Sequence, residues 1–272
     1  MKPIIAIAQK DLIDDLKTGV LLYVILGIFL AAGLIFYFIF NSGASMEIGP
    51  FQQTGTETSL LNSIFKMLDI SGFDQKTSFT LLLLNTVYFY ILILIALILP
   101  TILSSTCIVS EKEQRTMEYL FTLPIKNNVL LTGKMLGSVI PSFLLVIFCY
   151  TTILIFTWIK FNFSTILYLL RPKWWMLHII ILPIYSMLAA WSGICVSVKA
   201  KSSYSAISIS FLVILPLILI SLLIFEGTLI FNLKFTFFAT ILGIVLLTLV
   251  KTIANHLLNS EKLFAINDID KI

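Results

Sequence analysis

The stretch FTLLLLNTVYFYILILIALILPTILSST, residues 79–106, carries no charged residue over a length that crosses a bilayer. The hydrocarbon core is about 30 Å thick, and a helix that rises about 1.5 Å per residue needs roughly 20 apolar residues to span it. The runs from Leu81 to Leu84 and from Ile91 to Leu99 are apolar without alternation, unlike the strands of a membrane β-barrel. The stretch therefore predicts a membrane-spanning helix.

Similar stretches recur along the chain and place it among membrane proteins. Of its 272 residues, 59% are hydrophobic and 12% are charged, whereas soluble domains average about 45–50% and about 25%. We predict one transmembrane domain, residues 1–272, of the all-α polytopic class. Its six predicted spans cover about 19–40, 79–106, 128–158, 175–198, 204–225 and 235–255.

The segments outside the spans have their own patterns. Residues 1–18 are amphipathic, with Ile5, Ala8 and Leu12 on one helical face, and we expect this helix to lie on the membrane surface. Residues 41–78 are polar and contain glycine, so we predict an extracytoplasmic loop.

The basic residues set the predicted orientation. With a cytoplasmic N-terminus and six spans, twelve of the 18 lysines and arginines fall on the cytoplasmic side and the other six outside. This distribution follows the positive-inside rule. We therefore predict a multi-pass protein of the cell membrane with both termini in the cytoplasm.

Between spans 2 and 3 lies the charged segment SEKEQRTMEYLFTLP, residues 110–124. Met117, Leu120 and Phe121 form a narrow apolar stripe at helical spacing, which predicts a short amphipathic helix. Ser110 and Glu113 have the spacing of a capping box, and Pro124 would end the helix. Such a helix, joined at both ends to spans, could transmit a force into the bilayer. From the spacing alone, a solvated loop that only holds the topology is as good an interpretation.

This segment, followed by Gly133-Lys134 at the start of span 3, resembles the signature of ABC-2-type permeases. In that family the corresponding coupling helix inserts into a cleft of a separate cytoplasmic ATPase. The resemblance implies an ATPase-coupling interface formed by Glu111, Glu113, Arg115, Thr116, Met117, Glu118, Leu120, Phe121 and Pro124. Arg115 departs from the family, which commonly has glycine there.

The resemblance extends over the whole chain and implies a half-size exporter permease that pairs with a second copy of itself or with a similar permease. It places the dimer interface near spans 1 and 5. Small residues there allow close helix packing; they are Ala31, Ala32, Gly33, Ser203, Ala206 and Ser208. Because the spans lack central charges, we expect an amphiphilic, lipid-like or peptide cargo; export is implied by the resemblance.

The chain lacks a nucleotide site of its own. Around Gly133-Lys134 the first glycine of a phosphate loop is missing, and Met135 takes the Ser/Thr position. We therefore expect no bound cofactor or metal, with ATP and Mg²⁺ held by the partner ATPase, and we interpret Lys134 as a cytoplasmic anchor of span 3. The basic residues form no patch for nucleic acid. Cys107, Cys149 and Cys195 stand apart without metal-ligand spacing.

Three functions are alternatives to that of a permease. A membrane enzyme is disfavoured because the two histidines, His178 and His256, lie far apart and form no motif. An ion-coupled carrier usually has ionisable residues inside its spans, and His178 is predicted to be interfacial instead. An accessory or immunity protein that transports nothing remains the main alternative.

Overall fold

The computed structural model describes residues 2–17, 26, 33–34, 37, 73–84, 88–114, 116, 127–161, 163–225 and 240–257, and nearly all of them are helical. We number the helices α1 (Lys2–Lys17), α2 (Gln75–Leu83), α3 (Phe89–Thr106), α4 (Val109–Glu113), α5 (Asn127–Lys160), α6 (Phe163–Leu169), α7 (Pro172–Met176), α8 (Leu182–Lys199), α9 (Ser203–Phe225) and α10 (Thr240–Leu257). A π-helical turn, Leu177–Ile181, joins α7 to α8.

Four helical stretches of the described chain are long and apolar enough to cross a membrane. They are Tyr90–Glu113, Asn128–Lys160, Trp174–Lys199 and Thr240–Leu257. A shorter apolar stretch, Ser203–Pro216, belongs to α9. The fold is therefore that of a polytopic α-helical membrane protein. Six spans remain a prediction, because span 1 and most of the loop at 41–78 lie outside the described residues.

Helix α3 forms the centre of the bundle and packs against α5, α8 and α9. Its buried residues, which include Leu92, Leu99 and Leu103, belong to a largely apolar core, as expected for a helix surrounded by other helices. The contact between α3 and α8 is closest at Gly193, where a Cβ atom would overlap the Oγ of Ser104. Small residues permit this approach of two helix backbones.

Helix α1 packs against the beginning of α5. A Cβ on Gly133 would lie 2.9 Å from the Cβ of Ile7, and a Cβ on Gly137 would lie 3.3 Å from the carbonyl oxygen of Ala8. These two glycines lie one turn apart and present a flat surface to α1. Ala8 is 5% exposed and contacts the bundle, whereas Ile5 on the same predicted apolar face is 54% exposed. The placement of this helix on the membrane surface stays a prediction.

Candidate functional site

Lys134 lies near the beginning of α5, and its side chain is only 1% exposed. The Nζ lies 2.9 Å from Oε1 of Glu111 and 3.7 Å from Oδ2 of Asp11. It also donates a hydrogen bond of 3.1 Å to the carbonyl oxygen of Cys107. A buried ammonium group is very costly unless acidic and polar groups surround it in this way.

Glu111 is the second centre of this arrangement and belongs to α4. Its side chain is 9% exposed, and its Oε1 also accepts a hydrogen bond of 3.3 Å from Nζ of Lys10, a residue of α1. We name Lys10, Asp11, Glu111 and Lys134 the buried charge network. Its two cations and two acids balance, and they join α1, α4 and α5 at one point.

The Asp11 carboxyl lies under the influence of both Lys134 and Glu111. Burial raises the pKa of its carboxyl, the Lys134 ammonium opposes this by lowering it, and the nearby Glu111 carboxylate adds to the rise. The distance of 3.7 Å from Lys134 explains the incomplete compensation, because it exceeds a direct hydrogen bond. Glu111 is therefore the principal acidic partner of Lys134, and Asp11 a secondary one.

The beginning of α4 is fixed to the end of α8. The backbone N–H groups of Ile108 and Val109 both donate to Oγ of Ser197, each over 3.1 Å. The Nζ of Lys112 donates to the carbonyl oxygen of Val198. The free N–H groups at the start of a helix and the free carbonyls at the end of another thus find partners across this contact.

The end of α4 is fixed to the beginning of α9. The carboxylate of Glu113 accepts hydrogen bonds from the backbone N of Ser203 over 2.9 Å and from its Oγ over 2.8 Å. An anion at a helix N-terminus is favourable, because the N–H groups there are free and carry partial positive charge.

The predicted capping box of Ser110 and Glu113 is wrong. Ser110 lies inside α4, and Glu113 reaches α9 instead. The capping box is formed by Ser202 and Ser205 at the start of α9: the N–H of Ser205 donates to Oγ of Ser202 over 3.3 Å, and the N–H of Ser202 donates to Oγ of Ser205 over 3.2 Å.

The structure describes three of the nine predicted coupling residues. Glu111 is buried, so its carboxylate faces the chain's own interior and does not suit direct contact with a partner. Glu113 is exposed, and the Oγ of the half-buried Thr116 donates to the carbonyl of Glu111 over 3.3 Å. The other six lie outside the described residues: Arg115, Met117, Glu118, Leu120, Phe121 and Pro124.

The predicted dimer residues fall into two groups where the structure describes them. Ala206 is buried against Val109 and Ala200 of its own chain, and Ser203 is engaged by Glu113. Gly33 and Ser208 are exposed. Ala31 and Ala32 lie outside the described residues. The dimer interface remains a prediction; among the described positions, Gly33 and Ser208 are exposed and Ala206 is buried.

Sequence reasoning missed several residues of the site. Lys134 was interpreted as a plain membrane anchor, but it is the centre of the buried charge network. The available signal was a lysine within an otherwise apolar stretch, next to a glycine that brings a second helix close. Lys10, Asp11 and Ser197 gave no comparable signal. His178, predicted to be interfacial, is 4% exposed inside the bundle.

Within the described ranges, no three His, Cys, Asp or Glu side chains come together as a metal site would require. The charged contacts serve to join helices, and α4 is bonded to α1, α5, α8 and α9. The fold and these contacts of α4 define a multi-pass helical membrane protein.

Residues 5–261 match the family described as ABC-2 family transporter protein, and the chain belongs to that family. It is thus an ABC transporter permease, the membrane component of such a transporter. The chain has no match among curated proteins or among solved structures.

Proposed function

We propose that this permease receives mechanical force from a separate cytoplasmic ABC ATPase through residues 110–124 and passes it to the membrane helices. The observation that carries the proposal is the attachment of α4 to four other helices. Glu111 joins it to Lys10 of α1 and Lys134 of α5, and Glu113 joins it to Ser203 of α9. Ser197 and Val198 of α8 complete the attachment.

These contacts give the segment an inner and an outer side. Glu111 is 7% exposed and belongs to the buried charge network, whereas Glu113 and Gln114 are exposed. The inner side and the contact of Glu113 with Ser203 hold the helix in place, and the rest of the outer side faces a partner in this proposal. Because α4 is short and bonded on several sides, a displacement of it moves the beginnings of α5 and α9 as one rigid body.

The transporter that we propose contains two permeases and two ATPases. The second permease is another copy of this chain or a similar one, and its contact includes Gly33 and Ser208. ATP and Mg²⁺ bind the ATPases alone. The complex lies in the cell membrane, with both permease termini in the cytoplasm.

The cargo that we propose is amphiphilic, lipid-like or peptidic, and it is exported. Residues 135–159 of α5 and 204–225 of α9 contain no charged side chain. Hydroxyl groups such as those of Thr151, Thr152 and Ser208 are the polar groups that these helices offer. A path with this lining suits a molecule with a large apolar part better than a small ion.

The test is ATP hydrolysis by the assembled complex. The permease is co-expressed with an ABC ATPase from the same source, purified through a tag on the permease and reconstituted into liposomes. Glu113→Ala should lower permease-dependent ATP turnover severalfold, because the outer side of the segment loses its anchor on α9. Asp74→Ala removes an exposed acid before α2 and should leave turnover unchanged.

Two results would contradict this function. Equal turnover in the Glu113→Ala and Asp74→Ala complexes would mean that the segment transmits nothing. If no ATPase co-purifies under conditions that keep the permease folded, the accessory or immunity function takes its place.

A further inference from the structure

A histidine is buried among aromatic rings far from the buried charge network. The ring centroid of His178 lies 4.1 Å from that of Tyr150, 6.3 Å from that of Trp174 and 6.4 Å from that of Tyr88. Tyr150 follows Lys134 on α5 by 16 residues, which is about 24 Å along the helix. His178 and Trp174 are each 4% exposed.

The hydrogen bonding of His178 assigns its two ring nitrogens. Its Nδ1 lies 2.7 Å from the carbonyl oxygen of Trp174, and a carbonyl only accepts, so Nδ1 carries a proton. In the neutral ring, Nε2 is then an acceptor. Within the described part of the chain this Nε2 has no hydrogen-bond partner, although it is buried.

The indole of Trp174, one turn earlier in the chain, presents the opposite case. Its Nε1–H is a donor only, is buried, and has no hydrogen-bond partner among the residues that the structure describes. A buried donor and a buried acceptor therefore stand on adjacent rings, each without a partner. Each such group costs about 1–3 kcal/mol when it stays unpaired, so one group that bonds both would remove both costs.

The local backbone also marks this position. His178 belongs to the π-helical turn Leu177–Ile181, whereas the residues on both sides are α-helical. Single π-helical turns inside α-helices widen the helix locally and are frequent at functional sites. Polar side chains at membrane depth are similarly associated with function.

We propose that Trp174 Nε1 and His178 Nε2 form a binding site for hydroxyl oxygen. The indole donates a hydrogen bond to the oxygen, and the hydrogen of the hydroxyl is donated to Nε2. A hydroxyl combines both roles in one group. A carboxylate cannot donate to Nε2, and an ammonium group cannot accept from Nε1. Two sources supply this chemistry: a bound water, or a hydroxyl group of an amphiphilic molecule that crosses the protein.

The experiment observes the indole directly. The chain has four tryptophans, so protein labelled with ¹⁵N at the indole and held in lipid nanodiscs gives four N–H cross-peaks, and Trp174→Phe identifies the one in question. The nanodiscs are titrated with octyl glucoside, whose head group carries hydroxyls, and with octyl dimethylamine oxide, whose head group only accepts.

An amphiphile hydroxyl is the occupant if octyl glucoside shifts the Trp174 cross-peak saturably and the amine oxide does not. His178→Asn keeps a group near Nδ1 but removes Nε2, and it should weaken this binding at least tenfold. Trp175→Phe, at a tryptophan that is 45% exposed, and His256→Asn, at the exposed second histidine, should leave it unchanged.

Water is the occupant if neither detergent shifts the cross-peak while the Trp174 indole proton shows a nuclear Overhauser effect to a long-lived water, lost in His178→Asn. The proposal is overturned if the indole proton shows neither response, or if both detergents shift it equally. The site needs no ATPase to be occupied, so these results are independent of the coupling function.

Discussion

The Nζ of Lys134 lies 2.9 Å from Oε1 of Glu111, and both side chains are at least nine-tenths buried. Lys134 lies near the beginning of the long helix α5, and Glu111 belongs to the short helix α4. A buried ion pair of this kind is a poor source of stability compared with apolar packing, but it penalises any arrangement in which the two charges separate. The relation therefore fixes α4 on α5 in a single position.

Lys134→Met removes the ammonium and leaves Glu111 and Asp11 buried without their cation. We expect a loss of about 3–5 kcal/mol in the free energy of unfolding, because an uncompensated charge remains in the interior. Lys10→Met should cost no more than about 1 kcal/mol, since Lys10 is 53% exposed. Unfolding by sodium dodecyl sulfate in mixed micelles measures both. Equal losses in the two variants would contradict the assigned roles.

Asp11 gives the junction a pH dependence whose sign follows from its raised pKa. The Asp11 carboxyl keeps its proton to a higher pH in the folded protein than in the unfolded chain, where it titrates near its ordinary pKa of 3.8. The contribution of Asp11 to stability is therefore greatest below that value and is lost as pH rises through the higher pKa of the folded state. The stability of wild type minus that of Asp11→Asn should fall as the pH is raised above that ordinary value. A rise with pH would show that Lys134 dominates the pKa.

Gly133→Ala tests the close contact between α1 and α5. The added Cβ would lie 2.9 Å from Ile7, so we expect a loss of about 1–3 kcal/mol from overpacking. Gly33→Ala is the matched control, because nothing lies within 4 Å of a Cβ there. That change should stabilise the solubilised monomer by up to about 1 kcal/mol through helix propensity. In thermal unfolding, the midpoint should fall in Gly133→Ala and rise in Gly33→Ala. A shift in the same direction in both variants would argue against the α1 contact.

Ser197→Ala tests the attachment of α4 to α8. It removes the acceptor for the N–H groups of Ile108 and Val109, which are buried, so we expect a loss of about 1–3 kcal/mol. Ser186→Ala is the control on the same helix, because that hydroxyl bonds only the carbonyl of Pro183 one turn away. Hydrogen exchange at the Val109 amide should increase in Ser197→Ala alone. Unchanged exchange there would mean that the hydroxyl does not hold α4.

Within the described residues, the long helices coincide with apolar runs of the sequence, because the backbone of such a run is satisfied in a membrane by helical hydrogen bonds. The predicted span at 128–158 corresponds to α5, Asn127–Lys160, and the one at 175–198 to α8 and the turns before it. The π-helical turn at Leu177–Ile181 was not predictable, since an apolar run looks the same whether its hydrogen bonds are α-helical or π-helical.

The buried charge network was beyond the sequence for a different reason. Lys10 and Glu111 are 101 residues apart, and neither has a local pattern that selects the other. Counting basic residues by side of the membrane treats Lys134 like any lysine near a membrane, because the count ignores burial. Glu113 was assigned to a local capping box because its actual partner, Ser203, is 90 residues away and the sequence does not indicate the contact.

The coupling function requires α4 to end on the cytoplasmic side of the membrane, and cysteine labelling measures this side. A single cysteine replaces the exposed Gln114 in a chain whose Cys107, Cys149 and Cys195 are alanine, and a membrane-impermeant maleimide is applied to intact cells and to inverted membrane vesicles. Asp74→Cys is the control for the opposite side. We predict that Gln114→Cys reacts in inverted vesicles and not in intact cells. Reaction of Gln114→Cys in intact cells would place the segment outside, where no cytoplasmic ATPase can reach it.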